Sequence, residues 1–326
     1  MNIDVRRLTG ESGIRKFSDP DRTAKGEERA RVPLKHLETV WINTGTLCNI
    51  TCRNCYIESS PSNDRLVYMS AGEARAVLLE AERLGVREIG YTGGEPFLNP
   101  DFGEMLEESL RLGFNVLVLT NAMTPMQRPS VKDMLLRLNS EYGGRLTMRV
   151  SLDHYTRRLH EEERGDGSFE RTLAGIDWLN EAGFRIAIAG RSCWGETREA
   201  AIAGYQALFN ARGWPLDAGN VRDLVIFPEM DLSVEVPEIT PACWDILGKS
   251  PEQMMCSTSR MVVKRKGAEA LAVLPCTLIA YDPAFEMGAT LSEAAKADGG
   301  MFDKGAVKLA HPHCSKFCVL GGGSCS

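Results

Sequence analysis

The 326-residue sequence lacks several features that would place it in a large class of proteins. No stretch approaches about eighteen consecutive apolar residues, so no membrane-spanning helix is expected. No run of Lys and Arg forms a basic stripe, and a net charge of −6 gives the chain no electrostatic reason to bind nucleic acid. The N-terminus has no apolar run of the kind that marks a secretory signal, which predicts a cytoplasmic protein.

The composition is otherwise ordinary, except for an uneven distribution of cysteine. Apolar residues make up 43% and charged residues 25% of the chain, which is long enough to bury a core without covalent staples. In a reducing compartment, the ten cysteines indicate metal ligands or buried thiols rather than disulfides. One group lies near the N-terminus, and another lies between Cys256 and Cys325.

The first group is Cys48, Cys52 and Cys55, spaced C-x3-C-x2-C. Thiolates at this density suit zinc or an iron–sulfur cluster. A structural zinc site would take its fourth ligand from a nearby Cys or His pair, and no such pair adjoins this loop. A four-iron cluster on three cysteines leaves one iron free for another ligand. The alternative is a chance grouping, or a disulfide with one free thiol.

After residue 38 the chain alternates between strand and helix patterns. Strands are predicted at 39–43, 87–92, 115–119, 147–152, 185–189 and 224–227, and helices at about 70–84, 101–112, 130–138, 168–182 and 196–210. This alternation predicts parallel βαβ units with right-handed crossovers. Six units are too few for a closed eight-unit barrel, so the expected fold class is α/β, a partial (β/α)6 TIM-like barrel.

We predict three segments: a lead-in at 1–37, the barrel at 38–230 and a small Cys-rich C-terminal module at 231–326. In the module, a predicted β-hairpin carries Cys256 at one end and Cys276 at the other, and antiparallel pairing brings these thiols together.

Three more cysteines, Cys314, Cys318 and Cys325, supply the remaining candidates for a second metal site. We favour Cys256, Cys276, Cys314 and Cys318, with Cys325 as the substitute for Cys314 or Cys318. Zinc stays open as the metal because spacing alone does not separate it from an iron–sulfur cluster. A mixed Cys/His zinc site is a further alternative, because His311 and His313 flank Cys314.

In parallel α/β folds, ligands bind at the carboxyl ends of the strands. The candidate residues that follow the predicted strands are Gly93, Gly94, Glu95, Pro96, Asn121, Ser151, Asp153, Cys193, Glu229 and Asp231. Cys193 is a candidate hydrogen-atom donor or a small core residue. Glu229 and Asp231 are candidates for a base or for binding a polar substrate, and their alternative is a solvated linker.

The Cys loop, followed about forty residues later by Gly93-Gly94-Glu95-Pro96, resembles the radical S-adenosylmethionine (SAM) superfamily. The resemblance covers about 38–230. It implies a 4Fe–4S cluster on the three cysteines, with the amino and carboxylate groups of SAM on the free iron. It also implies that the GGEP stretch receives the amino group of SAM; the alternative is a simple Gly-Gly turn.

Other positions carry the resemblance less closely. Asn121, Ser151 and Asp153 are implied contacts of the ribose hydroxyls, and Arg164 an implied partner of the SAM carboxylate. The alternative role of Asp153 is a helix or turn cap, and the alternative for Arg164 is a solvated side chain paired with its acidic neighbours. The family often has an aromatic residue directly before the third cysteine, where it packs near adenine. Asn54 stands there, and the aromatic residue, Tyr56, follows Cys55 instead.

The C-terminal cysteines resemble the "Twitch" half of SPASM modules, which holds an auxiliary 4Fe–4S cluster, but full SPASM modules have more cysteines and two clusters. The combined resemblance implies that an electron from the first cluster splits SAM. The resulting 5'-deoxyadenosyl radical then abstracts hydrogen from a substrate, and the auxiliary cluster assists oxidation or binds substrate. An electron donor such as flavodoxin or ferredoxin is implied.

For the substrate, we favour a small polar metabolite. Peptide-modifying members often carry an N-terminal recognition domain, and about forty residues before the first strand are too few for one. A peptide is the alternative substrate. A non-catalytic iron–sulfur or zinc scaffold is a further alternative of a different class.

Overall fold

The computed structural model describes residues 15–228 and 234–322. Three predicted site residues, Glu229, Asp231 and Cys325, lie outside these ranges. The chain divides into two compact units. Within the described residues, the barrel unit comprises 40–228 and 263–269, and the cysteine-rich unit comprises 15–39, 234–262 and 270–322. The domain boundaries given above stay a prediction. Within the described residues, the end of the predicted lead-in belongs to the cysteine-rich unit.

The strands, in chain order, are β1 (Arg31–Val32), β2 (Thr39–Asn43), β3 (Glu88–Thr92), β4 (Asn115–Thr120), β5 (Leu146–Ser151), β6 (Arg185–Arg191), β7 (Leu224–Phe227), β8 (Ser259–Val263), β9 (Ala272–Leu274), β10 (Phe302–Asp303) and β11 (Ala306–Lys308). The helices are α1 (Ala71–Arg83), α2 (Phe102–Arg111), α3 (Thr124–Gln127), α4 (Pro129–Tyr142), α5 (Arg157–Arg164), α6 (Ser168–Glu181), α7 (Arg198–Arg212), α8 (Ala242–Leu247) and α9 (Leu291–Ala294). A π-helical segment spans Cys314–Leu320. No helix among the described residues is long and apolar enough to cross a bilayer.

The barrel unit contains a sheet with strand order β7-β6-β5-β4-β3-β2. The pairings from β3 to β7 are all parallel, with Val118 opposite Tyr91 on one side and opposite Met148 on the other. Helices intervene between successive strands, and the sheet is not a closed barrel. The predicted α/β partial barrel is therefore confirmed, and its strands begin and end within two residues of the predicted bounds.

Local sequence explains where α1 begins and how closely β3 packs against its neighbour. Ser70 and Glu73 form a capping box at the start of α1. In the sheet, a Cβ atom on Gly90 would lie 2.4 Å from the Trp41 ring, so glycine lets β3 pass beside a fully buried tryptophan. Helix α5 was not predicted. Its sequence, RRLHEEER, is almost entirely charged and gives little apolar periodicity.

The cysteine-rich unit contains the hydrogen-bonded neighbours β8 and β9, where the hairpin was predicted. A second, antiparallel sheet of order β1-β11-β10 was not predicted, because its strands are only two or three residues long. It pairs Arg31 and Val32 with Lys308 and Val307. The segment before the barrel thereby becomes a structural part of the unit that carries the C-terminal cysteines.

Candidate functional site

The Gly93-Gly94 turn packs directly against the backbone that leads into the Cys loop. The Gly94 N–H donates to the Gly45 carbonyl at 2.8 Å, and the Glu95 N–H donates to the Leu47 carbonyl at 3.1 Å. A Cβ atom on Gly94 would lie 2.0 Å from the Leu47 carbonyl oxygen. Glycine is therefore required here for the turn to reach the Cys loop.

Glu95 is held at the centre of the site by the end of β4. Its carboxylate accepts hydrogen bonds from the Thr120 hydroxyl at 2.8 Å and from the Asn121 N–H at 2.9 Å. The side chain is almost completely buried, and this burial raises its pKa to about 7. A cationic group placed beside Glu95 would favour the ionised carboxylate. Glu95 thus suits the receipt of an amino group.

Asn121 connects the end of β4 to the first cysteine. Its Nδ2 donates to Asn49 Oδ1 at 2.9 Å and lies 3.9 Å from Cys48 Sγ. The next residue, Ala122, has φ of +56°, a conformation unusual for alanine. The chain adopts this left-handed backbone without a glycine at position 122.

The three loop thiols differ in burial, with Cys48 buried and Cys52 and Cys55 half-buried. Burial raises the pKa of Cys48 to about 12 and that of Cys52 to about 11. Because the thiolate is the metal ligand, binding of a cationic metal group at these thiols must release their protons to solvent. Across residues 15–228 and 234–322, no three His, Cys, Asp or Glu side chains are already grouped to hold a single metal ion.

Asp153 and Arg164 form a bidentate ion pair after β5. Arg164 Nε donates to one carboxylate oxygen at 2.6 Å, and Nη2 donates to the other at 3.0 Å. Both side chains are largely buried, so the pair is unlike the alternatives of a solvated arginine and a capping aspartate. Burial dominates the raised pKa of Cys52, and the positive charge of Arg164 opposes that rise.

The other predicted residues occupy less connected positions. The Tyr56 hydroxyl lies 3.2 Å from the Thr92 hydroxyl, next to the Gly93-Gly94 turn. Ser151 is the last residue of β5, and Cys193 follows β6; both are half-buried. Pro96 begins a short 3-10 turn that is buried beneath the site. The roles assigned to these residues stay predictions.

Two residues that contact the Cys loop escaped the sequence analysis. Glu163, at the end of α5, accepts hydrogen bonds from Asn54, and Arg191, at the end of β6, binds both Glu163 and Asn54. The only sequence signals were the position of Arg191 after a strand and that of Glu163 beside Arg164.

In the cysteine-rich unit, four of the five predicted ligands line one cavity. The cavity is lined by Met254, Met255, Cys256, Pro275, Cys276, Leu278, Ile279, Val307, Leu309, His313, Cys314 and Cys318. The π-helical segment places Cys314 and Cys318 on the same cavity, which is the kind of local distortion that functional sites often carry. Burial raises the pKa of Cys256 to about 11 and that of Cys314 to about 12.

Arg260 adds a buried cation beside these thiols. Its guanidinium donates to the carbonyls of Cys256 at 2.6 Å and Gly305 at 3.0 Å. Its Nε has no hydrogen-bond partner among the described residues. Burial lowers the pKa of Arg260, and the thiolates of Cys256 and Cys276 oppose that shift. A buried guanidinium is costly without a negative partner, so this environment fits an anionic thiolate-bound metal group.

His313 lines the same cavity and has a defined tautomer. A carbonyl oxygen only accepts, so the 3.1 Å contact with Leu278 places the proton on His313 Nδ1. Metal-ligating histidines commonly donate their other ring N–H in this way, to a carbonyl or carboxylate. The donor set therefore fits a four-cysteine cluster and keeps the mixed Cys/His zinc alternative open.

Residues 42–192, which include the Cys loop and the Gly93-Gly94 turn, match the model of the Radical SAM superfamily. Over 185 residues the chain is 31% identical to the antilisterial bacteriocin subtilosin biosynthesis protein AlbA of Bacillus subtilis, covering 55% of this chain and 39% of AlbA. It is 29% identical over 146 residues to the GTP 3',8-cyclase of Vibrio cholerae, covering 42% of this chain and 40% of the cyclase. The matches thus span about two fifths of these relatives' own length.

Among solved structures, the fold is similar to Streptococcus suis SuiB bound to S-adenosylmethionine. The TM-score is 0.57 at 16% identity, and the match covers 82% of this chain and 67% of SuiB. At this identity the similarity concerns the fold alone. It extends well beyond the 42–192 domain.

Proposed function

We propose that this protein is a radical SAM enzyme that functionalises a C–H bond of its substrate. The observation that carries the proposal is the direct hydrogen bonding of the Gly93-Gly94-Glu95 turn to the segment that leads into the Cys loop. This contact brings a buried carboxylate, suited to an amino group, to the side of a three-thiol loop. A loop with three thiols can hold a four-iron cluster and leave one iron open, which matches the cluster chemistry of the superfamily.

Each residue at this site has a defined task in the proposal. Cys48, Cys52 and Cys55 would hold a 4Fe–4S cluster, and that cluster would supply one-electron reduction for the cleavage of SAM. Glu95 accepts a hydrogen bond from the SAM amino group. Arg164 uses two of its five N–H groups on Asp153 and offers others to the SAM carboxylate.

The cysteine-rich unit has a separate role. Cys256, Cys276, Cys314 and Cys318 hold an auxiliary 4Fe–4S cluster in the cavity that they line, as in a Twitch-like module. A cluster held there would supply an electron acceptor or a substrate-binding site. The apolar residues of the cavity wall limit the access of water, which is one of the means by which proteins set cluster potential.

The substrate belongs to one of two classes. A small polar metabolite is the first candidate, and GTP, named for the cyclase relative, is a substrate of this kind. A peptide is the second, because SuiB, with a similar fold, has been solved bound to the precursor peptide SuiA. Mass spectrometry of material that co-purifies anaerobically with the protein separates these classes by mass and fragmentation.

The proposal is tested by anaerobic reconstitution followed by incubation with SAM and dithionite. We expect about eight irons per chain from two four-iron clusters, together with release of 5'-deoxyadenosine. A flavodoxin or ferredoxin should replace dithionite as the electron donor. Zinc in place of iron, or iron without SAM cleavage, would contradict the proposed enzyme and favour a scaffold.

Arg260 gives a prediction for the auxiliary cluster. Replacing Arg260 with Gln removes a buried positive charge beside Cys256 and Cys276, which destabilises the more negative, reduced cluster. We expect its midpoint potential to become more negative, by about 59 mV for each tenfold change in the reduction equilibrium. An EPR-monitored redox titration measures this shift, with the Cys-loop cluster as an internal reference.

Two matched variants support the interpretation of this titration. Arg260→Lys keeps the charge and should restore most of the potential. Arg31→Gln removes a partly exposed arginine that pairs with Asp303 in the same unit, and it should leave the potential unchanged. An unchanged potential in Arg260→Gln would show that the guanidinium is not the counter-charge of a cluster.

A further inference from the structure

Glu163 is a buried carboxylate at the end of α5, directly before Arg164. One of its oxygens accepts the Asn54 backbone N–H at 2.8 Å and Arg191 Nη1 at 2.7 Å. The other oxygen accepts Asn54 Nδ2 at 2.9 Å. Both oxygens of the Glu163 carboxylate therefore accept hydrogen bonds, from Asn54 in the Cys loop and from the Arg191 cation at the end of β6.

The same residues bind three of the four backbone polar groups between Cys52 and Cys55. The Arg53 N–H donates to the Glu163 carbonyl at 2.8 Å, and the Asn54 carbonyl accepts from Arg191 Nη1 at 3.1 Å. Both residues between the two cysteines thus have their N–H groups bound to Glu163. A loop whose polar backbone groups are bound in this way has one strongly preferred conformation.

We propose that Glu163, held by Arg191, is a positioning residue that presets Cys52 and Cys55 for cluster binding, an inference that rests on the proposed function. Glu163 also joins the loop to the SAM-binding residues. Arg164 is its chain neighbour, and the Arg164–Asp153 pair fixes the same end of α5. One helical turn therefore sets both the cluster ligands and the residues proposed for SAM.

The contacts of Glu163 with Asn54 and Arg191, which we call the clamp, give a physical reason for an asparagine at position 54. An aromatic side chain, which the family often has at this position, offers no amide donor for a carboxylate. Asn54 supplies two donors to Glu163, one from the backbone and one from the side chain. Where the family often has an aromatic residue, this chain has Asn54, and the buried carboxylate of Glu163 accepts its hydrogen bonds.

The test compares Glu163→Gln with Glu162→Gln in the reconstituted holoenzyme. Glu162 is the adjacent carboxylate on α5, and its partners Arg53 and Arg158 lie at the exposed surface at 3.3 and 3.8 Å. Glu163→Gln leaves the largely buried side chain of Arg191 without its counter-charge and weakens the loop contacts, whereas a surface pair contributes little. Two quantities are measured: the rate of iron release to a chelator, and the SAM dissociation constant from the SAM-induced change in the EPR signal.

In Glu163→Gln we expect release of iron from the Cys-loop cluster roughly tenfold faster, and SAM binding roughly tenfold weaker. Glu162→Gln should stay within about twofold of the unmodified protein. Asn54→Ala, which removes one bond and leaves the Glu163–Arg191 pair intact, should lie in between. It decides the question if Glu163→Gln fails to fold.

The outcomes separate the inference from the proposal beneath it. If the unmodified protein binds a cluster that responds to SAM, but Asn54→Ala and Glu163→Gln behave like Glu162→Gln, the positioning role is wrong. If the unmodified protein shows no SAM-induced EPR change, the proposed function itself fails. Faster iron release in both clamp variants, with unaltered far-UV circular dichroism, supports the clamp.

Discussion

Replacing Cys52 with Ala is expected to abolish SAM cleavage. Two thiolates cannot hold a site-differentiated four-iron cluster in place of three, so both the electron and the open iron position are lost. Iron should fall from about eight to about four per chain, because the cysteine-rich site does not use this residue. Iron and sulfide analysis, together with chromatography of 5'-deoxyadenosine after dithionite reduction, measures both effects.

Cys243 provides the matched control for this variant. It is half-buried, and its sulfur accepts the Thr240 N–H at 3.4 Å within the turn that begins α8. Cys243→Ala removes a thiol of similar exposure that neither proposed cluster uses. It should keep the full iron content and SAM cleavage. SAM cleavage that survives in Cys52→Ala would show that the ligand assignment is wrong.

The parallel sheet could be predicted because its signals are local and repeated. Each strand is a short apolar run, each connection contains a helix, and the strand ends then fall on one edge. The residues after those ends, such as Glu95, Asn121 and Asp153, could be listed for the same reason. Their partners could not, because the Asp153–Arg164 pair and the contacts of Glu95 depend on how loops fold onto that edge.

The role of Glu163 illustrates what sequence alone does not contain. The residue lies 109 positions from Asn54, in a helix whose charged sequence predicts a solvated loop as readily as a helix. Its burial follows from the tertiary position of α5 over the Cys loop. A buried carboxylate with two partners and an exposed carboxylate one residue away look identical in the sequence.

The glycines of the turn after β3 are needed for a reason that the sequence alone does not show. Paired glycines commonly let a backbone approach a ligand closely. The structure shows that Gly94 lets the turn approach the backbone at Leu47, where a side chain would overlap a carbonyl oxygen. The glycines therefore act one step earlier, by bringing Glu95 to the Cys loop.

The cysteines that line the cavity of the cysteine-rich unit could be listed from the sequence, but the residues around them could not. A hairpin brings its two ends together, so Cys256 and Cys276 were natural partners. Arg260 lies between them in the sequence. The sequence does not show that Arg260 is buried, or that its hydrogen bonds among the described residues go to backbone carbonyls rather than to a carboxylate. The π-helical segment that carries Cys314 and Cys318 has no sequence pattern of its own.

Replacing Cys276 with Ala is expected to remove the auxiliary cluster and leave the SAM-cleaving cluster in place. Cys276 lines the cavity with three other thiols, and none of the Cys-loop ligands lines it. Iron should fall by about half, and the release of 5'-deoxyadenosine should stay within about threefold of that from the unmodified protein, because the first cluster keeps its three ligands. Conversion of substrate should be lost, because the second cluster is proposed to take up the electron or bind the substrate.

Cys243→Ala is again the control in the same unit and should keep all the iron. Loss of all iron in Cys276→Ala, or loss of SAM cleavage together with the second cluster, would contradict two independent sites.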